Sequence, residues 1–172
     1  MLRPPSADDL IDEEAFDADE FMPYWAELWP SGVALARVVA EQDLAGARVL
    51  ELGAGLGLPS LAAAVRGAQV LATDWAEEAV ALLRENAAAN GIALRAERVR
   101  WDDPGPLLAD APWDVVLGAD LLYEDRNATL LLELLPRLGG DVLLADPGRP
   151  AAAAFLARWN VEELADRVYR LR

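Results

Sequence analysis

The 172-residue chain contains no cysteine, no histidine and no lysine. The first two absences exclude disulfides, thiolate nucleophiles, imidazole bases and the usual zinc sites, so any chemistry must run on carboxylates, tyrosines or a cofactor, with no metal expected. The third leaves fifteen arginines as the whole of the positive charge against thirty acidic residues, a formal charge of −15. That balance repels a phosphate backbone and argues against nucleic acid as a partner. Nor does any apolar run approach the ~20 residues needed to cross a bilayer, which points to a soluble protein with no membrane partner. Asp8, Asp9, Asp12, Glu13, Glu14, Asp17, Asp19 and Glu20 crowd the N-terminus, the opposite of an arginine-rich transit peptide or an apolar signal sequence. The expectation is a cytoplasmic protein with an acidic arm over residues 1–22. Arginine without lysine, beside abundant alanine and leucine, resembles the product of a GC-rich bacterial genome.

What is present reads as one globular domain over residues 23–172. Apolar residues make up 54% and charged residues 26%, and a chain of this length can bury a core but has no room for a separate substrate domain. A monomer is expected. From residue 47 short apolar runs alternate with amphipathic stretches. The pattern predicts strands over 48–52, 70–73, 94–99, 115–117 and 142–145, and helices over 59–65, 77–89, 128–138 and 151–159. Asn90-Gly91 and Gly139-Gly140 are helix stops, and Pro104-Gly105-Pro106 marks a loop ahead of the fourth strand. Residues 161–164 and 167–171 are expected to close the sheet as an antiparallel pair. Repeated βα units imply an α/β, Rossmann-like fold with a mostly parallel central sheet, helices on both faces and ligands at the carboxyl ends of the strands.

The run Val49-Leu50-Glu51-Leu52-Gly53-Ala54-Gly55-Leu56-Gly57-Leu58-Pro59 carries the most information. An apolar strand that breaks into alternating glycines makes a floor over which a nucleotide can lie close to the backbone. Twenty-one residues after Gly53, Asp74 ends the second apolar segment, where a carboxylate can accept from both ribose hydroxyls. A dinucleotide fingerprint would place its third glycine at Leu58, three positions after the second, whereas Gly57 follows Gly55 by two. Glu51 adds a carboxylate that suits a cationic cofactor with an amino group better than a pyrophosphate. The combination points to S-adenosylmethionine, with S-adenosylhomocysteine as product, rather than to NAD.

Two further segments extend the pattern: Pro23-Tyr24-Trp25-Ala26-Glu27-Leu28-Trp29-Pro30-Ser31-Gly32 before the glycine turn, and Leu117-Gly118-Ala119-Asp120-Leu121-Leu122-Tyr123-Glu124 after it. Together these residues resemble the seven-strand (class I) S-adenosylmethionine-dependent protein lysine methyltransferases over residues 23 to about 150. The family signature of an aspartate, two apolar residues and a tyrosine matches Asp120-Leu121-Leu122-Tyr123. Within that group the Trp29-Pro30 segment and Ala145-Asp146-Pro147-Gly148-Arg149-Pro150 most resemble the methyltransferases acting on the beta subunit of electron transfer flavoprotein. The resemblance implies a class I methyltransferase fold and a protein substrate with an accessible lysine. It also implies cofactor binding by Trp29, the Gly53-Ala54-Gly55 turn, Asp74, Trp101 and Ala119, with Asp102 reaching the adenine amino group. An arbitrary tryptophan is more often a core aromatic, yet Trp29 and Trp101 sit beside strand or helix ends and are read as cofactor contacts; Trp25, Trp75, Trp113 and Trp159 are read as packing or rim residues.

Methyl transfer to a lysine amine asks for positioning and a dry, electron-rich mouth. A lysine of pKa ~10.4 is mostly protonated at neutral pH, a penalty of about 3 to 5 kcal/mol if it must react as the neutral amine. A neighbouring carboxylate raises that pKa, while an apolar channel and a sulfonium lower it. Asp120 is therefore assigned to capturing and aiming the lysine, Tyr123 to walling the channel, and proton loss to water or transiently to Asp120. Asp146-Pro147-Gly148-Arg149 either shapes the substrate mouth or makes a tight turn with a surface arginine. The acidic surface suits a protein whose target lysine lies in a basic patch. Two other readings stay open: a small-molecule N-methyltransferase sharing every cofactor residue, and a non-catalytic S-adenosylmethionine-binding interaction module.

Overall fold

Alternation along the strands sorts the side chains onto two faces of one sheet. The computed structural model describes residues 1–4 and 23–172, so most of the acidic arm expected over 1–22 lies outside the described residues. Strands β1 (Arg48–Leu52), β2 (Gln69–Asp74), β3 (Arg95–Arg98), β4 (Val115–Ala119), β5 (Asp141–Ala145), β6 (Val161–Ala165) and β7 (Val168–Leu171) form a seven-stranded sheet of order β3-β2-β1-β4-β5-β7-β6. The first five strands run parallel. The last two make the antiparallel pair that the sequence pattern implied, and the second of them lies between β5 and β6.

Val49, Val70, Leu117 and Leu143 pack with Leu35, Val38 and Val39 of α1 (Pro30–Glu41) and Ala63 of α2 (Leu58–Val65). On the same side, Val80 and Leu83 of α3 (Glu77–Ala89) cover Ala72 and Ala96. Their sequence neighbours Leu50, Leu52, Leu71, Val116, Val142 and Leu144 turn the other way. They meet Leu107 of α4 (Gly105–Ala109), Leu131, Leu134, Leu135 and Leu138 of α5 (Asp125–Leu138), and Phe155 of α6 (Ala152–Leu156). Two-residue periodicity thus gives a three-layer sandwich whose central sheet is buried on both faces. The strand order reverses between β1 and β4, and such a reversal opens a crevice at the carboxyl ends of the two strands. Among the described residues no helix is long and apolar enough to cross a membrane.

Three elements depart from the sequence pattern. Helix α1 precedes the first βα unit, where no helix was expected, although its buried Leu35, Val38 and Val39 have i, i+3, i+4 spacing. Pro104-Gly105-Pro106 does not remain a loop: it opens α4, because proline is tolerated in the first turn of a helix and Leu107 gains full burial there. Helix α6 ends at Leu156, short of residue 159.

Phe155 is 1% exposed and its ring lies 6.2 Å from that of Trp159. Phe155→Ala should lower the unfolding free energy by about 3 to 5 kcal/mol. Val65→Ala, at a side chain 72% exposed, should change it by less than about 0.5 kcal/mol. Urea titrations followed by far-UV dichroism measure both, and equal losses would contradict the layer assignment.

Candidate active site

At the end of β1 the chain must turn without letting side chains into the crevice. A Cβ on Gly53 (φ +59°) would lie 2.7 Å from Leu121 Cδ2, and one on Gly55 (φ +50°) 3.1 Å from the Trp25 carbonyl oxygen. Glycine alone satisfies both the left-handed backbone and the close approach. The turn is held by Asp74 at the end of β2: its Oδ2 accepts the Gly55 N–H at 2.9 Å and its Oδ1 the Ala76 N–H at 3.1 Å. Glu51, one strand over, accepts the Ser60 N–H from the first turn of α2 at 2.8 Å on Oε2. Glu51 and Asp74 are 2% and 4% exposed.

These groups line a cavity of about 340 Å³ whose far wall comes from the segment before α1 and from the loops after β4 and β5. Residues 24–26 form a single 3-10 turn, and the Trp29 indole N–H donates to the Tyr24 carbonyl at 2.8 Å. The Tyr24 ring stands 6.3 Å from Trp29 and 5.5 Å from Tyr123, centroid to centroid. Three partly exposed aromatic rings therefore frame the opening. Beneath them Asp120 adopts φ 60°, unusual for a non-glycine residue, with its N–H bonded to the Ala145 carbonyl at 2.8 Å. Its Oδ1 accepts from Nε of Arg149 at 2.8 Å, and Nη2 of the same guanidinium lies 2.8 Å from that oxygen in an ion pair. Burial pushes the Tyr123 phenol above its ordinary value.

Of the residues singled out in the sequence, Trp29, Glu51, Gly53, Ala54, Gly55, Asp74, Trp101, Ala119, Asp120 and Tyr123 all line this one cavity. Asp102 does not: it lines an adjoining recess of about 160 Å³ with Trp101 and Tyr123, and its carboxylate is forked onto Arg100 at 2.9 and 3.0 Å. Those hydrogen bonds hold Asp102 below the usual carboxylate range. Trp113 is a core residue, 4% exposed. Trp25 and Trp75 are wall residues of the cavity. Sequence reasoning gave Arg149 no definite role; the signal for it was the run after β5, where a strand end brings the loop to the same edge of the sheet as Asp120.

Burial pushes the Glu51 carboxyl up from 4.5 to about 8, with hydrogen bonding from Ser60 opposing it and the charge of Asp74 adding to it. Asp74 is likewise raised by burial, against the N–H groups of Ala76, Gly55 and Trp75 that favour its ionised form. Folded Glu51 keeps its proton to about pH 8 whereas the unfolded chain releases it near 4.5, so this group's contribution to stability falls as pH rises between those values. The unfolding constant of wild type relative to Glu51→Gln should therefore climb by up to about tenfold per pH unit across that window. Urea titrations of both proteins at several pH values test this, and parallel profiles would refute it.

The profile of the lysine methyltransferase family matches residues 19–145. An electron transfer flavoprotein beta subunit lysine methyltransferase from Xenopus laevis is 36% identical over 153 residues, covering 83% of this chain and 60% of that protein. The histone-arginine methyltransferase METTL23 of the same organism is 36% identical over 155 residues, covering 81% of this chain and 65% of that protein. The chain thus spans less than two thirds of either relative. Among solved structures, the T. thermophilus 16S rRNA methyltransferase RsmC, in complex with AdoMet and guanosine, aligns over 85% of this chain and 43% of its own, with a TM-score of 0.68 and 21% identity. That likeness is one of fold and agrees with the Rossmann-like architecture expected from the βα repeats. With its profile match running from before the aromatic segment to the end of β5, the chain belongs to the lysine methyltransferase family.

Proposed function

We propose that this protein is an S-adenosylmethionine-dependent protein N-lysine methyltransferase. The observation that carries the reading is one cavity that joins a glycine turn and two buried carboxyl groups to Asp120 and an aromatic opening. The site fits the cofactor in three respects. Glu51 accepts the Ser60 N–H on Oε2 and lines the cavity, so its carboxyl can also accept from the ammonium of a methionine tail. Asp74 accepts the Gly55 N–H on Oδ2 and the Ala76 N–H on Oδ1, and its carboxylate retains acceptor capacity for ribose hydroxyls. Trp101 and Trp29 offer flat faces for a purine, and backbone at Gly53, Gly55 and Ala119 lets the ligand approach closely.

When bound, the cofactor would supply an electrophilic methyl group within reach of the lysine nitrogen. The chain's own work is to bind, orient and exclude water. Asp120 Oδ2 aims the amine, the rings of Tyr24, Trp29 and Tyr123 displace water from the entrance, and the proton leaves to water. A protein whose target lysine lies in a basic patch suits a chain of charge −15. The likeness to the Xenopus laevis enzyme named above supports the beta subunit of electron transfer flavoprotein as substrate. A bacterial, cytoplasmic setting is part of the same proposal, its bacterial part resting on composition, fifteen arginines with no lysine.

The test is incubation with methyl-labelled S-adenosylmethionine and electron transfer flavoprotein beta subunit, in parallel with a bacterial lysate, followed by mass spectrometric location of the label. Methyl-lysine is the expected product. Methylarginine would transfer the reading to arginine, the residue type named for METTL23. Label on small molecules alone, or cofactor binding with no transfer, would replace it by a small-molecule methyltransferase or a binding module. Asp120→Ala should lower turnover by about 100-fold through lost aim while isothermal titration shows cofactor affinity little changed; loss of both would end the division of roles between Asp120 and the glycine turn.

A further inference from the structure

The cavity wall is electrostatically lopsided. Glu27, Glu51, Asp74, Asp120 and Glu124 all line it, and Arg149 is the one cation among its described lining residues. That cation is placed with care. The buried Asp146 carboxylate, 2% exposed, accepts the N–H groups of Gly148 and Arg149 on Oδ1, both at 2.7 Å. The Asp146 N–H donates to the Arg167 carbonyl at 3.1 Å, and the Arg149 carbonyl accepts the Ala152 N–H at 2.9 Å as α6 begins. Arg167 in turn bonds the Pro147 carbonyl. From this framed loop the Arg149 guanidinium reaches Asp120, engaging Oδ1 through two nitrogens while no described residue bonds Oδ2. The carboxylate side chain is 8% exposed and the guanidinium 34%.

We propose that Arg149 is a positioning residue that lets Asp120 aim the substrate amine without trapping it as an ammonium ion. The inference rests on the methyltransferase reading given above. An unopposed carboxylate in a poorly hydrated cavity stabilises the protonated amine, which has no lone pair to donate. A guanidinium stays charged at every accessible pH. Bound to Oδ1, it cancels much of the Asp120 field, fixes the carboxylate's orientation against the left-handed backbone at residue 120, and leaves Oδ2 as a hydrogen-bond acceptor. The ammonium then gives its proton to water and the neutral amine remains held by an N–H to Oδ2 bond. The other charges facing this point are Glu124 beside Asp120, Glu27 from the segment before α1, Glu51 and Asp74 across the cavity, and Asp146 behind Arg149. Of these, Glu51 keeps its proton at neutral pH and Glu124 is paired with Arg126 outside the cavity, so among the described lining residues Arg149 is the cation that opposes Asp120. A second consequence is competition: Arg149 occupies one oxygen of the carboxylate that a free cation would otherwise hold with both.

Two measurements on the full chain test this. First, n-butylamine is titrated calorimetrically at neutral pH into wild type, Arg149→Gln, Arg149→Lys and Asp120→Asn, with no cofactor or turnover required. Arg149→Gln should bind butylammonium about tenfold more tightly, Asp120→Asn should lose binding, and Arg149→Lys should resemble wild type. Second, the pH profile of methylation of electron transfer flavoprotein beta subunit, or of whichever lysine protein the lysate labels, should have its acidic limb moved up by about one pH unit in Arg149→Gln, with kcat at neutral pH falling about tenfold and KM not rising. Arg149→Lys should restore the limb. Unchanged or weaker butylamine binding by Arg149→Gln would overturn the proposal, as would an unmoved limb. If wild type methylates no lysine, the methyltransferase reading fails, and the butylamine titration still decides whether Arg149 opposes a cation at Asp120.

Discussion

The site depends first on one buried carboxylate. Asp74 ends β2, and its two oxygens take up the Gly55 N–H from the turn after β1 and the Ala76 N–H at the entrance to α3. Left unpaired in the interior, each donor would cost about 1 to 3 kcal/mol. One side chain thus links the ends of two adjacent strands to a helix and fixes the height of the cavity floor. The glycines follow from that height, because a floor held this tightly against Trp25 and Leu121 has no room for a Cβ. Burial opposes the charge on Asp74, and the backbone donors are what keep an acid tenable there.

A second constraint is the contrast between the two halves of the cavity. Its floor is backbone and carboxyl, while its opening is a ring of aromatic faces. Tyr24 and Trp29 come from the segment ahead of the first strand and Tyr123 from the loop after the fourth, about a hundred residues later, yet Tyr24 and Tyr123 are in ring contact. Acids deep in the site favour cations, and rings at the entrance accept the face of a cation while excluding water. The chemistry in between needs the nitrogen neutral, so the same field that recruits a basic side chain works against its reaction.

Most of the sheet and much of the floor were legible in the sequence, for a physical reason. Parallel strands buried on both faces read as short apolar runs, and Val49 to Leu52 followed by alternating glycines leaves few other structures open. Asp74 was legible because the end of the second strand is where a carboxylate can face the turn, although the structure gives it a second task in holding Gly55 that spacing alone does not reveal. Helix α1 was masked by the tryptophan and proline residues before it, which drew attention to themselves rather than to the Leu35, Val38, Val39 stripe. Proline and glycine at 104–106 suggested a loop because composition cannot weigh the burial of Leu107 against turn preference. Asp102 illustrates another limit: its position after β3 was right for the site's neighbourhood, but pairing with Arg100 depends on rotamers that no linear pattern encodes. Arg149 was hard to assign because an arginine after a turn is indistinguishable from a surface residue until the loop is placed opposite Asp120.

The two outer strands of the sheet share a feature. β3 consists of Arg95, Ala96, Glu97 and Arg98, and β6 presents Glu162 and Glu163 to solvent. Among the described residues each pairs with another strand on one side alone, so its other edge offers a row of backbone groups to solvent, with the Ala96 carbonyl of β3 taken up by the Arg84 guanidinium. Charges on such rows discourage a strand of another chain from docking there, since their hydration would be lost without compensation. Arg95 with Glu97 and Asp110 at one margin, and Arg170 and Arg172 with Glu162 at the other, occupy those charges locally. A sheet whose inner strands are strongly apolar thus ends in two polar margins that disfavour edge-to-edge polymerisation, even though its interior pattern would suit an extended β assembly.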